Sequence, residues 1–328
     1  MPARQISRRR FLRWSAGSVA ARAAIAGVPA IGAGLLAACG GEDVVAPTVV
    51  PLFSPDRVLV AGRPQRIPIG VVSPDPSLDS AVAMPNDDAT IDVTVVLEGE
   101  PVDRLQVPGR VVRHDHVGEV DPDHQHANLF RYYALRTTLA QPGIYDLDIE
   151  VRDGVTGQTA RAGLPIQIFD PGEAEVLLTE EPFPSVDTPT FDRPEGIDQL
   201  CTRFEPCPFH AINAADSLAA GRPLALLVAT PAFCSTAYCG PVVDTLMEEA
   251  GAFPDIDIVH AEVYANTDEV DGNYQDPRIQ LAPAVVALGL RFEPALFLVD
   301  RAGILVDRID NVFDGTELAE ALAALDAG

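Results

Sequence analysis

The pattern of apolar and polar positions divides the chain into two parts with different predicted secondary structure. In the first part, from about residue 53 to residue 170, short apolar segments are separated by Gly, Pro and Asp. The clearest segment is YDLDIEV at 145–151, and similar ones lie near 57–61, 65–72, 91–98, 129–139 and 163–169. Alternation with a period of two is typical of half-buried strands, and this number of short strands predicts an all-β antiparallel sandwich.

The second part, from about residue 213 to residue 328, mixes strands with helices. It begins with LALLV at 224–228, a wholly apolar run that is typical of a buried strand. Further strands are predicted in DIDIVHAEVYA at 255–265, EPALFLVD at 293–300 and ILVDRID at 304–310, with helices near 277–289 and over GTELAEALAAL at 315–325. This order predicts an α/β domain over 213–328.

Two cysteines follow the strand at 224–228 at an unusual spacing. Cys234 and Cys239 are five residues apart, and in one regular helix they would lie about 140° apart around the axis and about 7.5 Å along it. That separation is too large for an unstrained disulfide. Pro241 favours the first helical turn, so the helix is expected to begin between the thiols, with the pKa of Cys239 lowered by the helix dipole. A static disulfide or two buried thiols is the alternative.

The order of elements around TPAFCSTAYCGP at 230–241 resembles the thioredoxin-like superfamily. In that superfamily a cis proline opens the third core strand and faces the reactive cysteine, and Pro294 matches it by position. The resemblance implies that Cys234 attacks and Cys239 resolves, whereas a helix beginning at Cys239 suggests the reverse. Glu293 is expected near the thiols, either raising a thiolate's pKa or accepting a proton. The chain departs from the family in having four residues, rather than two, between its cysteines.

Two other families share part of this cysteine pattern. Peroxiredoxins of the bacterioferritin-comigratory type also carry Thr-Pro before two cysteines five apart, but Thr230-Pro231 lies one residue further from Cys234 than in that motif. Sco-type copper chaperones combine CxxxC with a distant histidine, and His260 lies within a predicted strand, which is a poor match. Thiol-disulfide exchange without a cofactor is therefore the favoured interpretation. A non-enzymatic scaffold, a thiol peroxidase and a copper chaperone are the alternatives.

The first 39 residues have the features of an export signal. SRRRFLR at 7–13 resembles a twin-arginine motif, and an Ala- and Gly-rich segment follows it. LAAC at 36–39 resembles a bacterial lipobox, in which Cys39 is acylated. Arg22 interrupts the apolar segment, so an uncleaved membrane span is not expected. We therefore expect a lipoprotein held at the outer face of the cell membrane, or in the periplasm, through Cys39 and a tether at 40–52. Exported protein thiols and disulfides are its expected partners.

The predicted sandwich at 53–170 contains a group of histidines. Its segment PGIYDLDIEV at 142–151 resembles bacterial immunoglobulin-like domains. Four of the six histidines of the chain form two His-x-His pairs among acidic residues: His114, His116, His124 and His126. On adjacent strands such pairs could bind copper or zinc. A solvated acidic loop is the favoured interpretation, so no tight metal site is predicted.

The segment 171–212 is rich in proline and acidic residues, which predicts an extended linker. With one cysteine assigned to the lipid, four remain and allow three pairings, of which sequence proximity favours a structural disulfide between Cys201 and Cys207. Phe204 between them is expected to pack, and His210 is expected to be a surface or packing residue.

Composition excludes one class of partner. The chain has 23 basic and 48 acidic residues, giving a formal charge of -25. Without the six arginines of the predicted signal, 17 basic and 48 acidic residues remain, a charge of -31. A surface this acidic repels nucleic acid, so nucleic-acid binding is excluded.

Overall fold

The computed structural model describes residues 48–54, 56–72, 90–114, 128–152, 159–234 and 238–328. Within these ranges the chain forms three four-stranded sheets and four α-helices. The predicted export signal with Cys39 lies outside the described residues. So do His116, His124, His126 and the side chain of His114. None of the helices in these ranges combines the length and apolar character that a membrane span requires.

Two antiparallel sheets pack face to face in the first half of the chain. One has the strand order β1-β2-β6-β5, with β1 (Thr48–Pro51), β2 (Pro64–Val72), β5 (Arg110–His114) and β6 (Asn128–Thr138). The other has the order β4-β3-β7-β8, with β3 (Thr90–Leu97), β4 (Glu100–Pro108), β7 (Gly143–Arg152) and β8 (Thr159–Ile168). Alternate residues of both sheets share one buried core, among them Ile67, Ile69, Val93 and Ile149. The predicted β-sandwich is confirmed.

The sandwich differs from the prediction at its edges. The segment 57–61 forms only an isolated bridge, between Val60 and Phe169. Strands β4 and β5 were not predicted, and β1 falls within the expected tether. Most side chains of β4 are exposed or half-buried, because it is the outer strand of its sheet. Its sequence therefore has little of the apolar alternation that reveals a strand.

The third sheet has the strand order β10-β9-β11-β12 and belongs to an α/β unit. Its strands are β9 (Leu224–Val228), β10 (Asp257–Ala261), β11 (Ala295–Val299) and β12 (Leu305–Asp310). Strands β9 and β10 are parallel, whereas β11 runs antiparallel to both of its neighbours. The helices are α1 (Ala214–Ala219), α2 (Cys239–Glu249), α3 (Pro283–Leu288) and α4 (Gly315–Ala327), and short 3-10 turns occupy Pro171–Glu173, Ala250–Ala252 and Asp268–Val270.

Every residue of β9 is buried because both faces of the third sheet are covered. Ala225 and Leu227 share a core cluster with apolar residues of α2 and α4. Leu226, on the opposite face, shares a cluster with residues of α3. The helix expected near 277–289 is only the short α3, which Pro283 opens and Gly289, with φ of 62°, closes.

A buried ion pair joins the sandwich to the α/β unit. Arg66 on β2 donates hydrogen bonds of 2.7 and 2.9 Å to the two carboxylate oxygens of Glu317 on α4, and both side chains are 2% exposed. The hydroxyl of Tyr132 on β6 donates to the same carboxylate at 2.7 Å. Burial alone would raise the pKa of Glu317, but the Arg66 charge and these hydrogen bonds lower it to about 2.

Candidate functional site

Two groups of cysteines lie on the same face of the third sheet. Cys239 on α2 and Cys207 both belong to the core cluster that covers this face. The two groups differ in the atoms that surround the sulfurs.

The first group consists of Cys234, in the loop that follows β9, and Cys239, the first residue of α2. The helix begins between the thiols, as Pro241 in its first turn predicts. The backbone N–H of Cys239 donates to the Cys234 sulfur at 3.3 Å. Cys234 is half-buried, whereas Cys239 is completely buried. Cys234 is therefore the sulfur that a partner molecule can reach.

The predicted lowering of the Cys239 pKa is wrong. Burial raises the pKa of Cys239 well above its ordinary value, and the neighbouring Cys234 and Glu293 raise it further. The first N–H of the helix points at the Cys234 sulfur rather than at the thiol of its own residue. The helix start therefore favours negative charge on Cys234.

Glu293 acts on this pair through its charge, and Pro294 follows it in the chain. The Glu293–Pro294 peptide bond is cis, and Pro294 directly precedes β11. Glu293 is 2% exposed, and its charge raises the pKa of Cys239. Burial and then the same carboxylate raise the pKa of Tyr264. Burial, then Cys234 and then the Glu293 carboxylate therefore favour the protonated form of Cys239.

The second group brings together Cys201, Cys207, His210 and His260. The two sulfurs are 3.8 Å apart. The Cys207 sulfur lies 3.4 Å from Nε2 of His210 and 3.4 Å from Nδ1 of His260, and those two nitrogens are 3.2 Å apart. The Cys201 sulfur lies 3.9 Å from Nδ1 of His260. All four ligand atoms lie within 4.8 Å of one another, so they surround a single point.

This arrangement corrects two expectations about the segment 171–212 and narrows a third. Cys201 and Cys207 are separate thiols, because their sulfurs are 3.8 Å apart and an S–S bond measures about 2.05 Å. His210 was expected to be a surface or packing residue, and it is a packed one, because it is 1% exposed and faces Cys207. Phe204, expected to pack, is 71% exposed.

The segment that carries Cys201 is fixed to both neighbouring elements of the α/β unit. The N–H of Thr202 donates to the Glu262 carboxylate, just after β10, at 2.6 Å. Burial raises the pKa of Glu262 to about 7. Arg203 pairs with Asp244 on α2 at 2.7 Å. The hydroxyl of Thr202 accepts a 3.1 Å hydrogen bond from the N–H of Ala232, in the loop that leads to Cys234.

Sequence reasoning missed the second group because two of its members were considered separately. The spacing Cys201-x5-Cys207-x2-His210 is a local signal for a set of ligands. His260 is 53 residues from Cys207 in sequence, and only the pairing of the segment with β10 brings it there. A backbone hydrogen bond of 3.0 Å from the His260 N–H to the Phe209 carbonyl makes that connection. A histidine within an apolar strand was the remaining clue.

No family model matches the sequence, and no curated protein matches it. Among solved structures, the PKD domain of human VPS10 domain-containing receptor SorCS2 is 15% identical, with a TM-score of 0.20 over 47% of this chain and 98% of that one. The PKD domain of an M14-like peptidase from Thermoplasmatales archaeon SCGC AB-540-F20 is 9% identical, with a TM-score of 0.19 over 38% of this chain and 94% of that one.

A longer structure is similar over a smaller share of its length. The endo-beta-1,4-mannanase from Thermotoga petrophila is 14% identical, with a TM-score of 0.21 over 39% of this chain. The chain spans only 21% of that protein. TM-scores this low establish no shared activity.

Proposed function

We propose that this chain is an exported thiol-disulfide exchange protein whose working pair is Cys234 and Cys239. The observation that carries the proposal is the contact of the Cys239 N–H with the Cys234 sulfur, 3.3 Å away, at the start of α2. This contact stabilises a thiolate on the accessible sulfur and keeps the second cysteine within reach of it. The lipid on Cys39 would hold the protein at the outer face of the membrane.

We assign residues 213–328 to the thioredoxin-like superfamily and residues 53–170 to an immunoglobulin-like sandwich. The order of strands and helices in the α/β unit supports the first assignment. The two packed antiparallel sheets support the second.

The different burial of the two thiols supports one order of attack. The thiolate of Cys234 attacks one sulfur of a substrate disulfide, forms a mixed disulfide and releases the other substrate sulfur as a thiolate. Cys239 then loses its proton and attacks the Cys234 sulfur, which releases the second substrate thiolate and closes the Cys234–Cys239 disulfide. Two electrons pass from the pair to the substrate. A reducing dithiol partner must return them, or an oxidising partner drives the reverse reaction.

The position of His260 argues against copper delivery by this pair. A Sco-type site adds a histidine to its two cysteines, but Nδ1 of His260 lies 3.4 Å from Cys207 of the other group. A copper carrier would bind Cu(I) at Cys234 and Cys239 only when they are reduced. A thiol peroxidase would consume hydroperoxide and pass through a sulfenate on Cys234.

The midpoint potential of the pair tests the proposal. The exported protein is equilibrated across a glutathione or dithiothreitol series, alkylated, and read by peptide mass for Cys234 and Cys239. A reversible potential between about -120 and -270 mV supports exchange and indicates its direction. A bond more negative than about -300 mV, or no bond between these two cysteines, would leave a non-enzymatic scaffold as the better interpretation.

A further inference from the structure

We propose that Cys201, Cys207, His210 and His260 bind one zinc ion in a closed tetrahedral site. The site is separate from the Cys234 and Cys239 pair. It fixes the segment 201–210 on the sheet face that also carries the exchange pair.

Five of the six distances between the four ligand atoms are close to the edges of a tetrahedron around zinc, and the sixth, from the Cys201 sulfur to the His210 ligand nitrogen, is at most 4.8 Å. Zn–S bonds of about 2.3 Å and Zn–N bonds of about 2.0–2.1 Å separate two sulfurs by about 3.8 Å, sulfur from nitrogen by about 3.5 Å and two nitrogens by about 3.3 Å. The corresponding distances here are 3.8 Å between the sulfurs, 3.4, 3.4 and 3.9 Å from sulfur to nitrogen, and 3.2 Å between the nitrogens. Their spacing is therefore compatible with a tetrahedral site of two sulfurs and two nitrogens.

The orientation of His260 directs the lone pair of its Nδ1 at the point that the four ligand atoms surround. Its Nε2 lies 3.1 Å from the carbonyl oxygen of Ala229, which can only accept, so Nε2 carries the hydrogen. Nδ1 of the neutral ring then presents its lone pair to the two sulfurs and to His210. Fixing a ligand histidine through its other nitrogen in this way is the usual outer-sphere arrangement at protein zinc sites.

Burial and charge indicate a structural site rather than a catalytic one. Cys207 is fully buried and both histidines are 1% exposed, while Cys201 is half-buried at the outer edge. Four protein ligands leave no open position for water or a substrate. Zinc would replace the two thiol protons, and two thiolates with two neutral imidazoles balance its charge. A neutral assembly is far less costly to bury than an isolated ion.

Zinc would tie together elements that are distant in sequence. The segment at 201–210 supplies three ligands, and β10 supplies His260. From this segment, Thr202 bonds the N–H of Ala232, two residues before Cys234. The ion would therefore also steady the loop that carries the attacking cysteine.

Metal content and a cobalt spectrum test the assignment directly. The exported protein is purified without added metal, desalted to remove loosely bound ions, and analysed for zinc, copper and iron by mass spectrometry. We expect about one zinc per chain. The metal-free protein, refilled with Co²⁺, should show the visible bands of tetrahedral cobalt and a thiolate charge-transfer band. These measurements need no variant, so they do not depend on how a variant folds.

Two pairs of variants locate the metal. Cys201→Ser changes the half-buried ligand and should weaken zinc binding by about a hundredfold or more, and His260→Ala should abolish stoichiometric binding. The controls Cys234→Ser with Cys239→Ser, and His116→Ala with His124→Ala, should each keep one zinc. The assignment is overturned if the parent takes up no metal, if it loads only Cu(I), or if a Cys201–Cys207 disulfide forms instead. Loss of zinc in a control rather than in Cys201→Ser would also overturn it.

Discussion

The two cysteine groups share one sheet face but differ in what surrounds their sulfurs. Cys234 is half-buried and receives a backbone N–H, and its partner Cys239 is buried near a carboxylate. The sulfurs of Cys201 and Cys207 instead lie 3.4 to 3.9 Å from two imidazole nitrogens. The first setting suits electron exchange with a visiting disulfide, and the second suits a metal ion. The neighbouring atoms, rather than the spacing of five or six residues, decide the chemistry.

The largest expected difference between the groups is in exchange activity. Cys234→Ser should lower the rate of reduction of a small disulfide substrate by roughly a thousandfold or more, because a hydroxyl does not attack disulfides. Cys201→Ser should keep the rate within about tenfold of the parent, since this sulfur lies in the other group. Stopped-flow assays of both folded variants measure the contrast. Equal losses in the two variants would show that the groups work as one centre.

The second difference is in the response of stability to chelation. Removal of a structural zinc should lower the free energy of unfolding by about 4 kcal/mol when zinc exceeds its dissociation constant a thousandfold. The Cys234→Ser and Cys239→Ser double variant should respond to EDTA in the same way as the parent. Cys201→Ser should respond by about 1.4 kcal/mol or less, because its zinc binding is weaker by about a hundredfold or more. Denaturant titration with and without EDTA measures this. An EDTA response in Cys201→Ser equal to that of the parent would contradict a stabilising zinc in this cluster.

Arg66→Met is a control for the zinc experiment. It should lower the free energy of unfolding by a similar amount without involving a metal ion. Breaking its buried pair with Glu317 leaves a buried carboxylate, which costs about 3–5 kcal/mol. The loss should be the same with and without EDTA. It should also shrink in acid, because a carboxylate whose pKa is lowered to about 2 contributes stability that disappears as pH falls toward that value.

The two groups also differ in how much of their structure could be predicted from the sequence. The apolar run at 224–228 and Pro241 predicted the buried strand and the helix start, because both signals are local. The pKa of Cys239 was predicted in the wrong direction, since burial outweighs the helix dipole and only the packed core reveals burial. The second group needed the meeting of His210 with His260, fifty residues away in sequence, which no local pattern contains.

Cys239→Ser should accumulate a mixed disulfide on Cys234. With the resolving thiol removed, the first attack still occurs but the second does not. Intact mass spectrometry after exposure to oxidised glutathione should find one glutathione on most chains. Cys207→Ser should show no such adduct, because the parent pair can still resolve it. A Cys239→Ser chain without adduct, or with the adduct on Cys201, would contradict the assigned order of attack.

The smallest expected effect is a change in the rate of the resolving step, caused by a charge that acts on the Cys234 and Cys239 group only. Burial and then Cys234 and Glu293 raise the pKa of Cys239, so Glu293→Gln removes a negative charge and lowers that pKa. A larger thiolate fraction at neutral pH should speed the resolving step by roughly two- to tenfold and move its pH profile toward lower pH.

Rapid-quench measurement of mixed-disulfide decay across pH provides the test of Glu293→Gln. Glu248→Gln, an exposed position on the same helix as Cys239, is the control and should match the parent. Zinc content should be one per chain in both variants, because neither carboxylate belongs to the ligand group. A Glu293→Gln profile identical to that of the parent would remove this carboxylate from the mechanism. A shift accompanied by loss of zinc would mean that the two groups are not independent.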